Sequence, residues 1–186
     1  VATQMTQHGG VNCTAAKVII PGDGWKQRAA FLEELRRVLQ HLEARRAYYP
    51  GAEDRYERFL DAHPGAEPIG ARKPGVLPPT LVAGVDASNP RELAFSEESF
   101  CAFTVETPLP GRDLRDFLAT AVRFANETLH GTLNAELLIH PATESELGGD
   151  LEEAIADLRY GTVAINQWPA MGFALGTTPW GAFPGH

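Results

Sequence analysis

The chain has 186 residues, of which 44% are hydrophobic and 22% charged, and its 16 Lys and Arg against 24 Asp and Glu give a net charge of -8. This balance is typical of a globular protein with a sizeable core and excludes a disordered chain. The basic residues are scattered, and the apolar runs fall far short of the roughly 18 residues of a membrane-spanning helix. We therefore expect neither a nucleic-acid partner nor a membrane protein.

Helices and strands alternate along the chain. In chain order, the patterns predict the end of a helix at 1–8, a strand at 17–21, helices at 25–46 and 52–63, a Gly/Pro-rich surface loop at 64–79, strands at 80–85 and 100–107, a helix at 111–131 with Asp113 as its N-cap, a strand at 134–140, a helix at 149–161 and a strand at 162–168. Apolar strands separated by helices favour an α/β fold with a mostly parallel sheet flanked by helices. The length favours a single domain over 1–186.

The two cysteines, Cys13 and Cys101, form no CxxC pair, which excludes a disulfide scaffold and a zinc ribbon and favours reduced thiols in a cytoplasmic protein. Cys13 lies between Gly9-Gly10 and the predicted strand 17–21, where rigid backbone could hold a nucleophile. Taken alone, this pattern favours a small buried residue, since cysteine is commonly buried. The six histidines show no metal-ligand spacing, so we expect no metal site.

Four separated stretches, in order, resemble motifs of the aldehyde dehydrogenase superfamily. "GGVNCTAAKVII" is similar to its catalytic-cysteine segment Gly-Gln-x-Cys, and "EESFCAF" to its Glu-Glu-Ile-Phe-Gly-Pro-Val motif. "FANETLHGTLNAELLIH" resembles its Ala-Asn-x-x-x-Tyr-Gly-Leu-x-Ala segment. "LRYGTVAINQW", followed by "PWGAFPGH", resembles its Gly-x-Val-x-(Ile/Val)-Asn strand and Pro-Phe-Gly-Gly loop. The resemblance covers nearly the whole chain and implies most of the catalytic domain of such an enzyme.

The resemblance also implies roles for individual residues. Cys13 would be the nucleophile that forms a thiohemiacetal and then a thioester with an aldehyde substrate. Glu98 would hold the ribose hydroxyls of NAD or NADP, and Phe100 would support the nicotinamide ring. Trp168, Phe173 and Trp180 would line an apolar substrate pocket, with cover for the core or an interface as the alternative.

Several residues depart from the family pattern and imply an atypical member. Val11 replaces the motif glutamine, Cys101-Ala102 replaces Gly-Pro, His130 replaces the motif tyrosine, and Pro179-Trp180-Gly181-Ala182 replaces Pro-Phe-Gly-Gly. We expect Cys101 to be a packing residue and Asn166 to fix a loop by hydrogen bonds. The basic stretch "ARRAYY" is interpreted as a solvated face.

The implied enzyme is an NAD(P)-dependent aldehyde dehydrogenase that forms part of a longer polypeptide. The chain starts at Val1 rather than Met, and no GxGxxG motif follows a strand. We therefore expect an upstream nucleotide-binding domain, a homo-oligomeric parent and an inactive isolated chain. Two alternatives stay open: a non-catalytic binding or assembly domain that retains the fold, and a cysteine hydrolase in which His8 activates Cys13.

Overall fold

The computed structural model describes residues 1–185, and the contacts between Cα atoms divide the chain into two compact units, Val1–Leu109 and Pro110 onward. Each unit has its own sheet, and buried apolar residues lie in both. Among the described residues, no helix is long and apolar enough to cross a membrane.

The first unit is built around a four-stranded sheet. Its elements are α1 (Ala2–Thr6), a 3-10 helix (Gln7–Gly10), β1 (Val18–Ile19), α2 (Arg28–Gln40), α3 (Ala52–Ala62), β2 (Glu67–Pro68), β3 (Thr80–Val82), α4 (Leu93–Ser96) and β4 (Phe103–Glu106). The strand order is β1-β4-β3-β2, in which β4 runs parallel to β1 and β3 while β2 is antiparallel to β3. All four residues of β4 are buried, as in a central strand covered on both faces. The predicted α/β class, with a mostly parallel sheet flanked by helices, is confirmed.

Helix α3 packs its aromatic side chains against the start of β4. The Phe59 and Phe103 rings lie 5.3 Å apart between centroids in an edge-to-face arrangement, and the Tyr56 and Phe103 rings lie 6.4 Å apart in the same manner. All three residues are at most 2% exposed. The Tyr56 hydroxyl lies 2.7 Å from the Thr80 hydroxyl, which satisfies its hydrogen bond within the core. These contacts place the residues that precede β4 close to the N-terminal part of α3.

An ion pair joins the beginning of α2 to the end of β4. Arg28 donates from Nε and Nη2 to the two carboxylate oxygens of Glu106, at 2.6 and 2.8 Å, and the backbone N–H of Gly84 donates to the same carboxylate at 2.8 Å. The Glu106 side chain is completely buried. Three donors to one buried carboxylate satisfy its charge and anchor α2 on the sheet.

The structure differs from the sequence prediction in the bounds of α2 and in the loop 64–79. Helix α2 ends at Gln40 and not at residue 46, because Leu42 is exposed and has no core to cover, while Ala47 donates its backbone N–H to the Gly75 carbonyl. The predicted loop 64–79 contains β2, whose pairing partner β3 follows it in the chain. Strand β2 is two residues long and includes a proline, a pattern that gives no strand signal.

The second unit contains α5 (Leu114–Glu127), β5 (Asn134–Leu137), α6 (Pro141–Leu147), α7 (Gly149–Asp157), β6 (Thr162–Ile165) and α8 (Ala170–Ala174). Strands β5 and β6 are parallel, with Asn134 opposite Thr162. Asp113 caps α5 as predicted, since its carboxylate accepts the Asp116 backbone N–H at 2.9 Å. Helix α6 is absent from the sequence prediction, although Pro141 at its first turn is a signal for a helix start, and His140 caps it.

Candidate active site

Cys13 lies in the loop that leads from the 3-10 helix into β1. The loop turns tightly, since His8, Gly9 and Gly10 have φ values of 53°, 68° and 79°. Asn12 then stabilises the next turn, because its side-chain oxygen accepts the Thr14 backbone N–H at 2.9 Å and the Thr14 hydroxyl at 2.6 Å. Thr14 is buried, whereas Cys13 is exposed. The structure therefore holds the Cys13 thiol at the surface on a hydrogen-bonded turn.

The parallel pairing of β1 and β4 brings the Cys13 loop to the segment that carries Glu98 and Phe100. Val18 of β1 pairs with Val105 of β4, and both loops precede their strands. The amino ends of parallel strands lie at the same edge of a sheet, so the two loops meet there. Val11 and Phe100 accordingly line the same small depression.

Lys17 and Gly10 connect these two segments directly. The Lys17 ammonium donates to the Gly10 carbonyl at 2.6 Å and to the Cys101 carbonyl at 2.8 Å, and it lies 3.4 Å from the Ser99 hydroxyl. The backbone of Gly10 is so close to the peptide between Cys101 and Ala102 that an added Cβ would lie 2.4 Å from its atoms. The Cys13 loop therefore rests on the backbone that follows Phe100.

Phe100 is held by neighbours that the sequence did not reveal. Its ring lies 4.6 Å from the Tyr49 ring, and the Arg55 guanidinium lies over it at 5.6 Å. The backbone of Phe100 has a φ of 49°, so the predicted strand 100–107 starts only at Phe103. Tyr49 comes from the stretch "ARRAYY", which we interpreted as a solvated face. Tyr49 is 45% exposed, in agreement with a solvated face, but its ring also packs on Phe100.

The two cysteines have opposite surroundings. Cys101 is 2% exposed, and burial raises the pKa of its thiol, with Lys17 opposing that shift. The expected packing role of Cys101 fits this burial. Cys13, which the pattern alone suggested to be buried, is exposed. Only Cys13 therefore presents a thiol that a substrate can approach.

Glu98 and His8 lie beside these segments. Glu98 is exposed, so its carboxylate is available to hydroxyl donors, and its charge raises the pKa of Lys17 against the larger effect of burial. His8 is exposed and lines the depression with Phe100. Within the part of the chain that the structure describes, no group of three His, Cys, Asp or Glu side chains could hold a metal ion.

The aromatic residues predicted for the substrate pocket all belong to the second unit. Phe173 is 66% exposed, and its ring lies 5.5 Å from the Trp180 ring in an edge-to-face arrangement. Trp168 is half-buried and precedes α8. Asn166 has the structural role expected of it, since its side chain accepts the Ile139 backbone N–H and donates to the Ile139 carbonyl, both at 2.8 Å.

No family model and no curated protein sequence matches the chain. Solved structures do match. A 1-pyrroline-5-carboxylate dehydrogenase shares 16% identity at a TM-score of 0.76, over 98% of this chain and 34% of its own. A salicylaldehyde dehydrogenase from Pseudomonas putida G7, complexed with salicylaldehyde, shares 17% identity at a TM-score of 0.75, over 97% of this chain and 36% of its own. An NADP-dependent glyceraldehyde-3-phosphate dehydrogenase from Bacillus halodurans C-125, complexed with NADP, shares 18% identity at a TM-score of 0.70, over 90% of this chain and 34% of its own.

The chain thus spans about a third of the length of these structures. At such identities the likeness shows a shared fold, that of the catalytic domain of aldehyde dehydrogenases. The comparison confirms the fold that the four sequence motifs implied.

Proposed function

We propose that this chain is most of the catalytic domain of an NAD(P)-dependent aldehyde dehydrogenase and that Cys13 is its nucleophile. One observation carries the proposal: the parallel pairing of β1 and β4 brings an exposed thiol loop to the edge of the sheet where Glu98 and Phe100 lie. The shared fold with enzymes that act on aldehydes supports it. The four motif stretches follow one another along the chain in the order that the resemblance implies.

The proposed reaction begins at the sulfur of Cys13. Its thiolate attacks the carbonyl carbon of an aldehyde, and the new carbon–sulfur bond produces a thiohemiacetal. A thioester forms when that carbon loses a hydride, for which NAD or NADP would be the acceptor, and the hydroxyl group loses its proton to water. Water or another acceptor then displaces the sulfur, which releases the acid or acyl product and restores the thiol. The exposure of Cys13 on a hydrogen-bonded turn suits both the attack and the release.

The residues that would hold the nicotinamide nucleotide fit that group. Glu98 presents an exposed carboxylate that can accept hydrogen bonds from two ribose hydroxyls. Phe100 is half-buried, and Tyr49 and Arg55 hold its ring, so it offers a fixed apolar support. When bound, NAD or NADP supplies the oxidant that accepts the hydride.

The proposal extends to the surroundings of the site. Trp168, Phe173 and Trp180 are proposed as apolar walls for the aldehyde, an upstream nucleotide-binding domain as the partner, and a homo-oligomer as the state of the parent. Because no GxGxxG follows a strand, we propose that the 186-residue chain does not turn over by itself. Reduced thiols are consistent with a cytoplasmic location.

Replacement of Cys13 by alanine tests the function in the chain joined to its upstream domain. We expect Cys13→Ala to abolish aldehyde-dependent reduction of NAD or NADP, and we expect an aldehyde substrate to slow alkylation of Cys13 by iodoacetamide. Cys101→Ala is the matched control, since it removes the buried thiol and should preserve turnover. Turnover that survives Cys13→Ala would refute the proposal and favour another chemistry.

A further inference from the structure

Lys17 is a partly buried amine whose contacts are all turned inward. An ammonium group has three N–H donors and no acceptor. The Lys17 ammonium faces three acceptors: the Gly10 carbonyl at 2.6 Å, the Cys101 carbonyl at 2.8 Å and the Ser99 hydroxyl oxygen at 3.4 Å. The number of acceptors therefore matches the number of donors. Burial lowers the pKa of Lys17, whereas the nearby Glu98 carboxylate opposes that shift.

The three acceptors come from the two segments that form the candidate site. Gly10 belongs to the loop of Cys13, whereas Ser99 and Cys101 flank Phe100. Directly after Lys17, the strands take up their register, since the Val105 backbone N–H donates to the Lys17 carbonyl at 2.9 Å. One side chain thus ties both segments together at the point where the sheet begins.

We propose that Lys17 is a positioning residue, whose ammonium holds the Cys13 loop against Ser99 and Cys101 so that the thiol and the nicotinamide site at Phe100 stay in register for hydride transfer. This inference rests on the proposed function. The ammonium contacts the protein's own backbone, so it would act through the Cys13 loop and not on a reacting atom. The close backbone contact at Gly10 supports it, because it joins the same two segments that the Lys17 ammonium joins.

The hydrogen bonds of Lys17 to Gly10 and Cys101, called the tether below, are tested first on the chain itself. We expect Lys17→Met, which keeps an apolar stem but has no donor, to accelerate hydrogen exchange of the amides in 8–14 by at least about tenfold. Alkylation of Cys101 by iodoacetamide should accelerate by a similar factor, because Gly10 would no longer be held against the Cys101–Ala102 peptide. Lys26→Met, at an exposed lysine in the same unit, is the matched control and should change neither rate. Unchanged exchange and alkylation in Lys17→Met would overturn the tether.

The positioning role is tested on the chain joined to its upstream domain. Lys17→Met should lower kcat by at least about tenfold while the KM values for aldehyde and cofactor change less than about twofold. Alkylation of Cys13 should continue in the variant, since the thiol is still exposed. For Lys17→Ala, ethylammonium should restore the slow exchange and part of kcat, whereas ethanol should restore neither.

The outcomes separate this inference from the function on which it rests. If Cys13→Ala abolishes turnover but Lys17→Met retains full kcat, the function stands and the positioning role is wrong. If Lys17→Met loosens the loop but Cys13→Ala retains turnover, the tether stands and the proposed function falls, together with the positioning role.

Discussion

Gly10→Ala is the sharpest test of the contact between the Cys13 loop and the segment after Phe100. An alanine Cβ at this position would lie 2.4 Å from the carbonyl carbon and oxygen of Cys101 and from the backbone nitrogen of Ala102. Backbone atoms of a paired segment cannot move away as the end of a flexible side chain can. The φ of 79° also disfavours any residue with a Cβ.

The two effects can be separated in magnitude because Gly9 provides a matched control. A left-handed backbone costs a residue other than glycine about 1–2 kcal/mol. Gly9 has a φ of 68°, and a Cβ added there would lie 3.7 Å from its nearest atom, the Arg46 carbonyl oxygen, which is an ordinary contact. Gly9→Ala should therefore lower the free energy of unfolding only by the cost of the left-handed backbone. Gly10→Ala adds overpacking of about 1–3 kcal/mol, for a total loss of about 2–5 kcal/mol in the free energy of unfolding.

Urea denaturation of both variants and of the unaltered chain measures these losses, and iodoacetamide reports on the site. Gly10→Ala should also expose Cys101 to alkylation, because the loop must move away from the Cys101–Ala102 peptide. Gly9→Ala should leave Cys101 protected. Equal destabilisation by the two substitutions, with Cys101 protected in both, would refute the claim that these backbones are in contact.

Two further predictions concern charged groups in the first unit. Arg28→Met should lower the free energy of unfolding by about 3–5 kcal/mol, because Glu106 would keep a completely buried charge without its partner. The control is Arg37→Met, whose ion pair is exposed on both sides, so its loss should lower the stability far less than Arg28→Met does. Similar losses of the two variants in urea would contradict this reasoning. Burial lowers the pKa of Lys17, so the folded chain releases this proton at a lower pH than the unfolded chain does, and stability should rise as the pH approaches the unfolded value of about 10.4. Burial raises the pKa of Cys101, which makes stability fall as the pH rises. The test therefore uses Cys101→Ala, without that thiol, and compares it with the double variant that also carries Lys17→Met. Urea denaturation near pH 8 and near pH 10 measures the stability of each variant. Equal slopes against pH in the two variants would show that Lys17 does not titrate as expected.

Local signals predicted the elements well where the determinants lie close together in the chain. Helix α5 begins at its N-cap Asp113 because the cap and its partner Asp116 are three positions apart. The parallel sheet followed from short apolar runs between helices. The end of α2 could not be predicted in this way, since the apolar spacing continues to Leu42 although the structure leaves that side chain exposed.

The candidate site followed less from pattern than from resemblance. Spacing alone favoured a buried Cys13, and only the motif resemblance pointed to an exposed nucleophile. The supporting contacts could not be predicted at all, because they join distant positions: Lys17 and Cys101 are 84 residues apart in the sequence. Tyr49 shows the same limit: it is exposed, as the stretch "ARRAYY" predicts, but its contact with the Phe100 ring joins two positions that are distant in the sequence.

The central strand β4 is fixed at both of its ends, and this explains how a short sheet can hold a precise site. At its carboxyl end, the Glu106 carboxylate accepts hydrogen bonds from Arg28 and from the Gly84 backbone N–H. Just before its amino end, the Cys101 carbonyl accepts a hydrogen bond from the Lys17 ammonium, and the Gly10 backbone packs against the Cys101–Ala102 peptide. Strand β1 has only two residues, so its ladder of hydrogen bonds alone is a weak restraint on the Cys13 loop. The loop is held where it is because charge and close backbone packing supplement that ladder, and both act inside the first unit.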